Sequence, residues 1–219
     1  MRKNFDEELN RLNIKLLDMA AMAQQIIAMS VKSLDEHDKK LAAQAIEFDD
    51  RIDEVERDIE RMCLKIMLKY QPVFADDLRR VSSALKMITD MERIGDQAAD
   101  IAQLNLAIIE NERRCSLKDI SQMAKASAEM VSLATDAYIN NDIELAQSVI
   151  KSDDEIDDLF IKIKSEAINE IAQDKGKGED AIDEVMVAKY FERIGDHAVN
   201  IAEWVEFSIT GVHKHERIM

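Results

Sequence analysis

The chain is poor in residues that make turns, bridges and sharp corners. Its 219 residues include one proline, five glycines, two cysteines and one tryptophan. So few turn formers exclude a protein of many short strands, and the abundance of Ala, Leu, Ile, Met, Glu and Lys predicts an all-α fold. Cys63 and Cys115 lie far apart and form no C-x-x-C pair, so neither a disulfide framework nor a thiolate metal site is predicted. Both are read as reduced, half-buried thiols. An excess of basic charge is also missing. The formal net charge is −16, which argues against free nucleic acid and anionic lipid surfaces as partners. No N-terminal run reads as a signal peptide, and no stretch of about 18 apolar residues is long enough to span a bilayer. A cytoplasmic protein without membrane insertion is expected.

Catalytic signatures are equally scarce. Lys175-Gly176-Lys177-Gly178 lacks the spacing and the Lys-Ser/Thr ending of a phosphate-binding loop and reads as a turn. No Ser/His/Asp or Cys/His arrangement suggests a nucleophile. No Glu stands three residues before His37, His197, His213 or His215, as di-iron bundles of the ferritin type require. The chain is therefore expected not to be an enzyme.

What is present is long helical periodicity. Leu9, Leu12, Leu16, Met19, Ala23, Ile26 and Ser30 alternate spacings of three and four, predicting a helix over 4–34. A second seam, Leu41 through Ile66, predicts a helix opened by Asp38 and ending near Tyr70, before Pro72. A third, capped by Asp76 or Asp77, should continue to about Asn111. Ser116-Leu117-Lys118-Asp119 reads as a capping box opening a fourth helix that ends near Asn140. A fifth runs from Asp142 to about Gln173. A sixth follows the turn at Gly176 and Gly178 and reaches about Phe207. The tail from Thr210 to Met219 is expected to fray.

The chain states one stretch twice. Glu92-Arg93-Ile94-Gly95-Asp96 returns unchanged as Glu192-Arg193-Ile194-Gly195-Asp196. Met19 through Asp53 aligns without a gap with Met123 through Asp157 at an offset of 104, which falls to 100 at the repeated motif. Two homologous three-helix units result, with domains predicted at 1–113 and 114–219. Within each repeat, like charges stand one helical turn apart and a glycine sits inside a helix. The acid pair costs about 0.2–0.5 kcal/mol, and the glycine about 1 kcal/mol relative to Ala.

Each half contains two such acidic pairs: Asp49/Asp53 with Glu92/Asp96, then Asp153/Asp157 with Glu192/Asp196. If neighbouring helices pack antiparallel, four carboxylates converge and repel unless a cation lies among them. An all-oxygen donor set suits Mg²⁺, Ca²⁺, Mn²⁺ or iron. Asp100 lies one turn beyond Asp96, whereas its counterpart is Asn200. Glu56 is likewise matched by Phe160. The first site is thus expected to hold cations more strongly. Gly95 and Gly195 would admit either a ligand shell or a closely packed helix. Arg93 and Arg193 are expected to pair with Asp96 and Asp196, with orientation of the carboxylates as the alternative. His197 is matched by Gln97 and is no shared ligand, and Trp204 reads as a packing residue.

These features resemble the PhoU family. The resemblance rests on the doubled Glu-Arg-Ile-Gly-Asp, the Asp-x-x-Ile-Asp before each copy, Asp77-Leu78-Arg79, and Ile201-Ala202-Glu203 followed by Thr210-Gly211. It covers essentially the whole chain. It implies six long helices in two pseudo-symmetric three-helix bundles, with metal clusters, iron among them, at Asp49/Asp53, Glu92/Asp96, Asp153/Asp157 and Glu192/Asp196. It also implies negative regulation of phosphate-starvation signalling, with the chain bridging the ATPase subunit of the phosphate ABC transporter and a phosphate-sensing histidine kinase. It leaves a homodimer open. Two alternatives stand beside it: a ferritin-like metal-storage or redox protein, and a metal-free helical adaptor.

Overall fold

A computed structural model describes residues 2–70, 75–113, 118–214 and 216–217. Six long helices dominate: α1 (Arg2–Asp35), α2 (Lys39–Lys69), α3 (Ala75–Glu110), α4 (Lys118–Asn140), α5 (Ile143–Gln173) and α6 (Gly178–Thr210). A 3-10 turn, Lys175–Lys177, joins the last two. Two-residue strands β1 (Val212–His213) and β2 (Glu216–Arg217) pair antiparallel at the end.

The helix boundaries follow local chemistry. The Asp38 side chain accepts from Lys40 N and Leu41 N, satisfying two of the orphan amides that open α2. Asp142 does the same for α5 through Leu145 N. Before each cap the chain turns through a left-handed residue, His37 (φ 53°) and Asn141 (φ 52°). The following amides then reach back to Ser33 O at 3.0 Å and to Ala137 O at 2.9 Å. α6 closes with Gly211 at φ 76°, where its N–H donates to Phe207 O at 2.9 Å. Neither Asp76 nor Asp77 is the expected cap of α3. α3 begins at Ala75, so both aspartates lie in its first turn, where they face the positive end of the helix dipole. Pro72, the Arg114–Cys115 boundary and the Ser116 capping box lie outside the described residues.

The described part of the tail, 210–214 and 216–217, is not frayed as expected; residues 215, 218 and 219 lie outside the described residues. β1 and β2 form a hairpin folded back over α6, and the His213 ring stacks on Trp204 at 3.8 Å with 12° between planes. Stacking and hairpin pairing hold a segment whose composition gives no hint of either.

One apolar core runs through all six helices. Leu12, Leu16, Met19 and Ile26 of α1, Ile52 and Ile59 of α2, and Met87, Met91 and Ile94 of α3 are fully buried. Their counterparts Met123, Ile156, Phe191 and Ile194 are buried as well. Cys63 is fully buried rather than half-buried, and burial pushes its thiol up to about 12, which leaves it inert. α1 is, contrary to expectation, long and apolar enough to cross a membrane by length and composition alone, with a mean hydropathy of 1.3 over its most apolar 18 residues. Its apolar stripe is nonetheless packed into the bundle core.

α3 and α6 form the central seam between the two triplets. Asp90, near the middle of α3, meets His197 and Asn200 of α6 at 2.9 and 3.2 Å. Arg113, just past the end of α3, meets Asp183 at 2.6 Å and Glu179 at 3.5 Å near the start of α6. The two helices therefore run antiparallel. Further bonds tie the triplets together: Gln24 Nε2 donates to Ala128 O at 3.1 Å and Tyr138 Oη to Arg80 O at 2.7 Å. In the first triplet the core also holds a polar knot. Asn105 Nδ2 donates to Ser30 O at 2.7 Å and to Ser33 Oγ at 2.9 Å.

Candidate metal centre

The acidic pairs meet where glycine removes a side chain. A Cβ built on Gly95 would stand 2.6 Å from Asp49 Oδ1 and 3.1 Å from Ile52 Cδ1. On Gly195 it would stand 2.6 Å from Asp153 Oδ1 and 3.1 Å from Ile156 Cδ1. The close-packing reading of these glycines is realised. Helix α2 packs closely on α3, and α5 on α6, and in each case the nearest atom is a carboxylate oxygen.

Electrostatics show which carboxylates share a neighbourhood. Burial pushes the Asp49 carboxyl up to about 7, reinforced by Asp96, Asp53 and Glu92. Burial pushes Asp153 up to about 6, reinforced by Asp157, Asp196 and Glu192. Glu92 is raised by burial and then by Asp96, and Asp196 by burial and then by Glu192. Asp100 is raised by burial and by Asp96, while Arg193 of the other half pulls it down. All nine carboxylates singled out in the sequence thus fall into two groups: Asp49, Asp53, Glu92, Asp96 and Asp100, then Asp153, Asp157, Glu192 and Asp196.

These residues fit a hard cation by three observations. The donors are oxygens of one charge. Burial, reinforced by their mutual repulsion, raises the Asp49 and Asp153 carboxyls well above the usual carboxylate range, a penalty that a cation would relieve. Asp49 Oδ1 is shut off from solvent with no hydrogen-bond partner. One observation points the other way. Among the described residues no three His, Cys, Asp or Glu side chains stand ready-made around a metal position. The carboxylates are clustered, and their rotamers would have to turn inward to ligate.

The basic residues differ between halves. Arg93 pairs with Asp96 at 2.8 Å and Glu92 at 3.4 Å, as expected. Arg193 has no ion pair among the described residues and acts on Asp100 instead. In its place Lys189 pairs with Glu192. The position aligned with Lys189 is Thr89, so a comparison of the repeats three residues before each Glu would have found it. His197 accepts or donates at Asp90, a partner invisible in the sequence because it comes from the other half. Trp204 packs edge-on against Phe207 as well as under His213.

Comparison with known proteins bears on the whole chain. The PhoU domain is matched twice, at residues 16–104 and 120–205. The phosphate-specific transport system accessory protein PhoU homolog of Clostridium acetobutylicum is 34% identical over 210 residues, covering 96% of each chain. That of Zymomonas mobilis is 34% identical, covering 98% of this chain and 90% of the relative. The crystal structure of PhoU from Pseudomonas aeruginosa superposes with a TM-score of 0.88 at 31% identity, covering 95% of this chain and all of that one. The phosphate transport system regulatory protein PhoU from Streptococcus pneumoniae gives 0.87 at 26% identity, covering 98% and 99%.

Proposed function

The chain belongs to the PhoU family, and from that premise we propose that it is a cytoplasmic accessory protein of phosphate-specific transport that regulates by binding and catalyses no reaction of its own. The observation that carries the metal part of this reading is the duplicated approach of a carboxylate to a helix glycine, Asp49 on Gly95 and Asp153 on Gly195, both at 2.6 Å from the would-be Cβ. Asp49, Asp53, Glu92, Asp96 and Asp100 would hold one cation site, and Asp153, Asp157, Glu192 and Asp196 the other. Iron, Mn²⁺, Mg²⁺ and Ca²⁺ all suit such donors. A bound cation supplies positive charge that lets every carboxylate ionise at once. The chain's part is to present oxygens from two helices to one place, so that loading ties α2 to α3 and α5 to α6.

The regulatory part is a bridge. The ATPase subunit of the phosphate ABC transporter and the phosphate-sensing histidine kinase are its proposed partners, and holding them together restrains phosphate-starvation signalling when phosphate is plentiful. Metal content after purification without chelator, followed by capture of partners from lysate grown with and without phosphate, tests both parts. Bound metal and phosphate-dependent capture of a transporter ATPase are expected. Metal-free protein that ignores Mn²⁺, Mg²⁺ and iron would remove the metal part. That outcome would favour a metal-free helical adaptor, the reading that the unassembled rotamers support. Phosphatase or oxidase turnover lost in Glu92→Ala would overturn the binding-only assignment.

A further inference from the structure

Large apolar side chains left in solvent gather on the hairpin of α5 and α6. Ile161 and Ile168 are 63% and 59% exposed and lie two turns apart on α5. Ile182 and Met186 are 57% and 42% exposed and lie one turn apart on α6. The two helices run antiparallel, since Gln147 meets Glu206, Asp153 meets Gly195 and Phe160 meets Lys189. Carried toward the turn, that register sets Ile168 opposite residues 181–182. Ile171 lies three turns past Phe160 and Val185 one turn before Lys189, so both share the faces on which Phe160 and Lys189 meet. Both are half-buried. The result is an apolar groove whose floor is packed and whose walls stand in water. It runs for about 10 Å between Ile161 and Ile168.

The hairpin is also acidic. Residues 157–186 include nine Asp or Glu and four Lys, a net charge of −5. Two of those lysines are already held, Lys162 by Asp119 at 2.7 Å and Lys177 by Glu170 at 3.9 Å. The first half provides an internal control. Its aligned positions are Arg57, Leu64, Ser82 and Lys86, so a triplet of this kind folds without an apolar surface there. Exposed apolar surface rimmed by charge marks a contact with another molecule.

We propose that this groove docks an amphipathic helix of a partner protein, apolar on one face and rich in Lys and Arg on the other. The isoleucines supply contact area, and the acidic rim selects the sign of the partner's charge. A second copy of this chain is a poor occupant, because it brings a charge of −16 against −16. Docking here requires no bound metal.

The test titrates the full chain into a fluorescein-labelled helical peptide of about 14 Leu and Lys residues, with leucines spaced three and four apart, and reads anisotropy. Wild type is compared with Ile168→Gln and Ile182→Gln, and with Ile14→Gln and Leu64→Gln as exposed apolar controls elsewhere. All four are surface substitutions that leave the fold in place. Ile168→Gln and Ile182→Gln should each weaken binding about tenfold, while the two controls leave it unchanged. A peptide of the same pattern built from Leu and Glu should not bind. A wild type that ignores the Leu/Lys peptide, or equal losses in all four variants, overturns the inference. Equal binding of a peptide with serine in place of leucine does so too, because charge alone then explains the contact. Self-association of the wild type in sedimentation, lost in Ile168→Gln, would give the groove to a second copy and also overturn it. None of these results touches the metal reading or the capture of a transporter ATPase.

Discussion

Asp49→Asn should stabilise the metal-free protein at alkaline pH, although it removes a residue placed at the site. Asp49 is half-buried, Oδ1 has no partner, and Asp96, Asp53 and Glu92 crowd it. Its carboxyl is pushed from 3.8 to about 7. The sign follows from linkage. The folded protein keeps a proton that the unfolded chain gives up near pH 4, so the folded state is penalised increasingly as pH rises from about 4 to 7, and fully above that. About three pKa units at 1.36 kcal/mol each set a ceiling of about 4 kcal/mol. Partial exposure and solvent screening reduce this to about 1–2 kcal/mol. Asparagine is nearly isosteric and carries no charge, so it avoids the penalty without filling the space beside Gly95. Denaturant unfolding of chelated wild type and variant at pH 8 should show that gain, and thermal scans a rise of about 3–6 °C for a chain of this size. At pH 4 the difference should close to within about 0.5 kcal/mol. A variant less stable at pH 8, or a gap independent of pH, would refute the reasoning.

Other outcomes follow from the same geometry. Gly95→Ala gains about 1 kcal/mol of helix propensity but crowds Asp49 Oδ1 and overpacks buried Ile52, at about 1–3 kcal/mol, so a net loss of about 1 kcal/mol is expected in urea unfolding. A gain would show that the close approach is not limiting. Arg113→Ala leaves Asp183 without its 2.6 Å partner and should cost about 2 kcal/mol, read as a lower denaturant midpoint. Asp96→Asn should lose more bound metal than Asp196→Asn, and Asp100→Asn should bring the first site toward the second, measured as metal stoichiometry before and after chelation. Adding Mn²⁺ at about a hundredfold over its dissociation constant should stabilise the wild type by about 2.7 kcal/mol.

Much of this was legible in the sequence. Spacings of three and four located every helix within a few residues, and Asp38 and Asp142 cap where their chemistry requires. The repeat and the paired acids named the carboxylates that the fold groups in each half. What escaped has a common cause. The His213–Trp204 stack, the Lys214–Glu203 pair and the Asp90–His197 contact each join segments whose approach depends on tertiary packing or a reversed chain. Local periodicity carries no record of such meetings. Asp76 and Asp77 misled because two aspartates at a helix start satisfy both the cap and the first-turn preference.

The antiparallel seam of α3 and α6 has a historical consequence. Two copies of one unit meeting along the same helix form the kind of contact that identical subunits make across a two-fold axis. In a dimer of separate chains, any residue chosen for one side of that axis is imposed on the other. Joined end to end in one gene, the copies are released from this constraint. Asp90 faces His197, whereas the aligned positions hold Tyr190 and Gln97, a pairing that two identical chains could not have made singly. The same freedom allowed Asp100 to diverge from Asn200 and Thr89 from Lys189. Fusion thus turned one duplicated surface into two inheritable ones, each open to selection on its own.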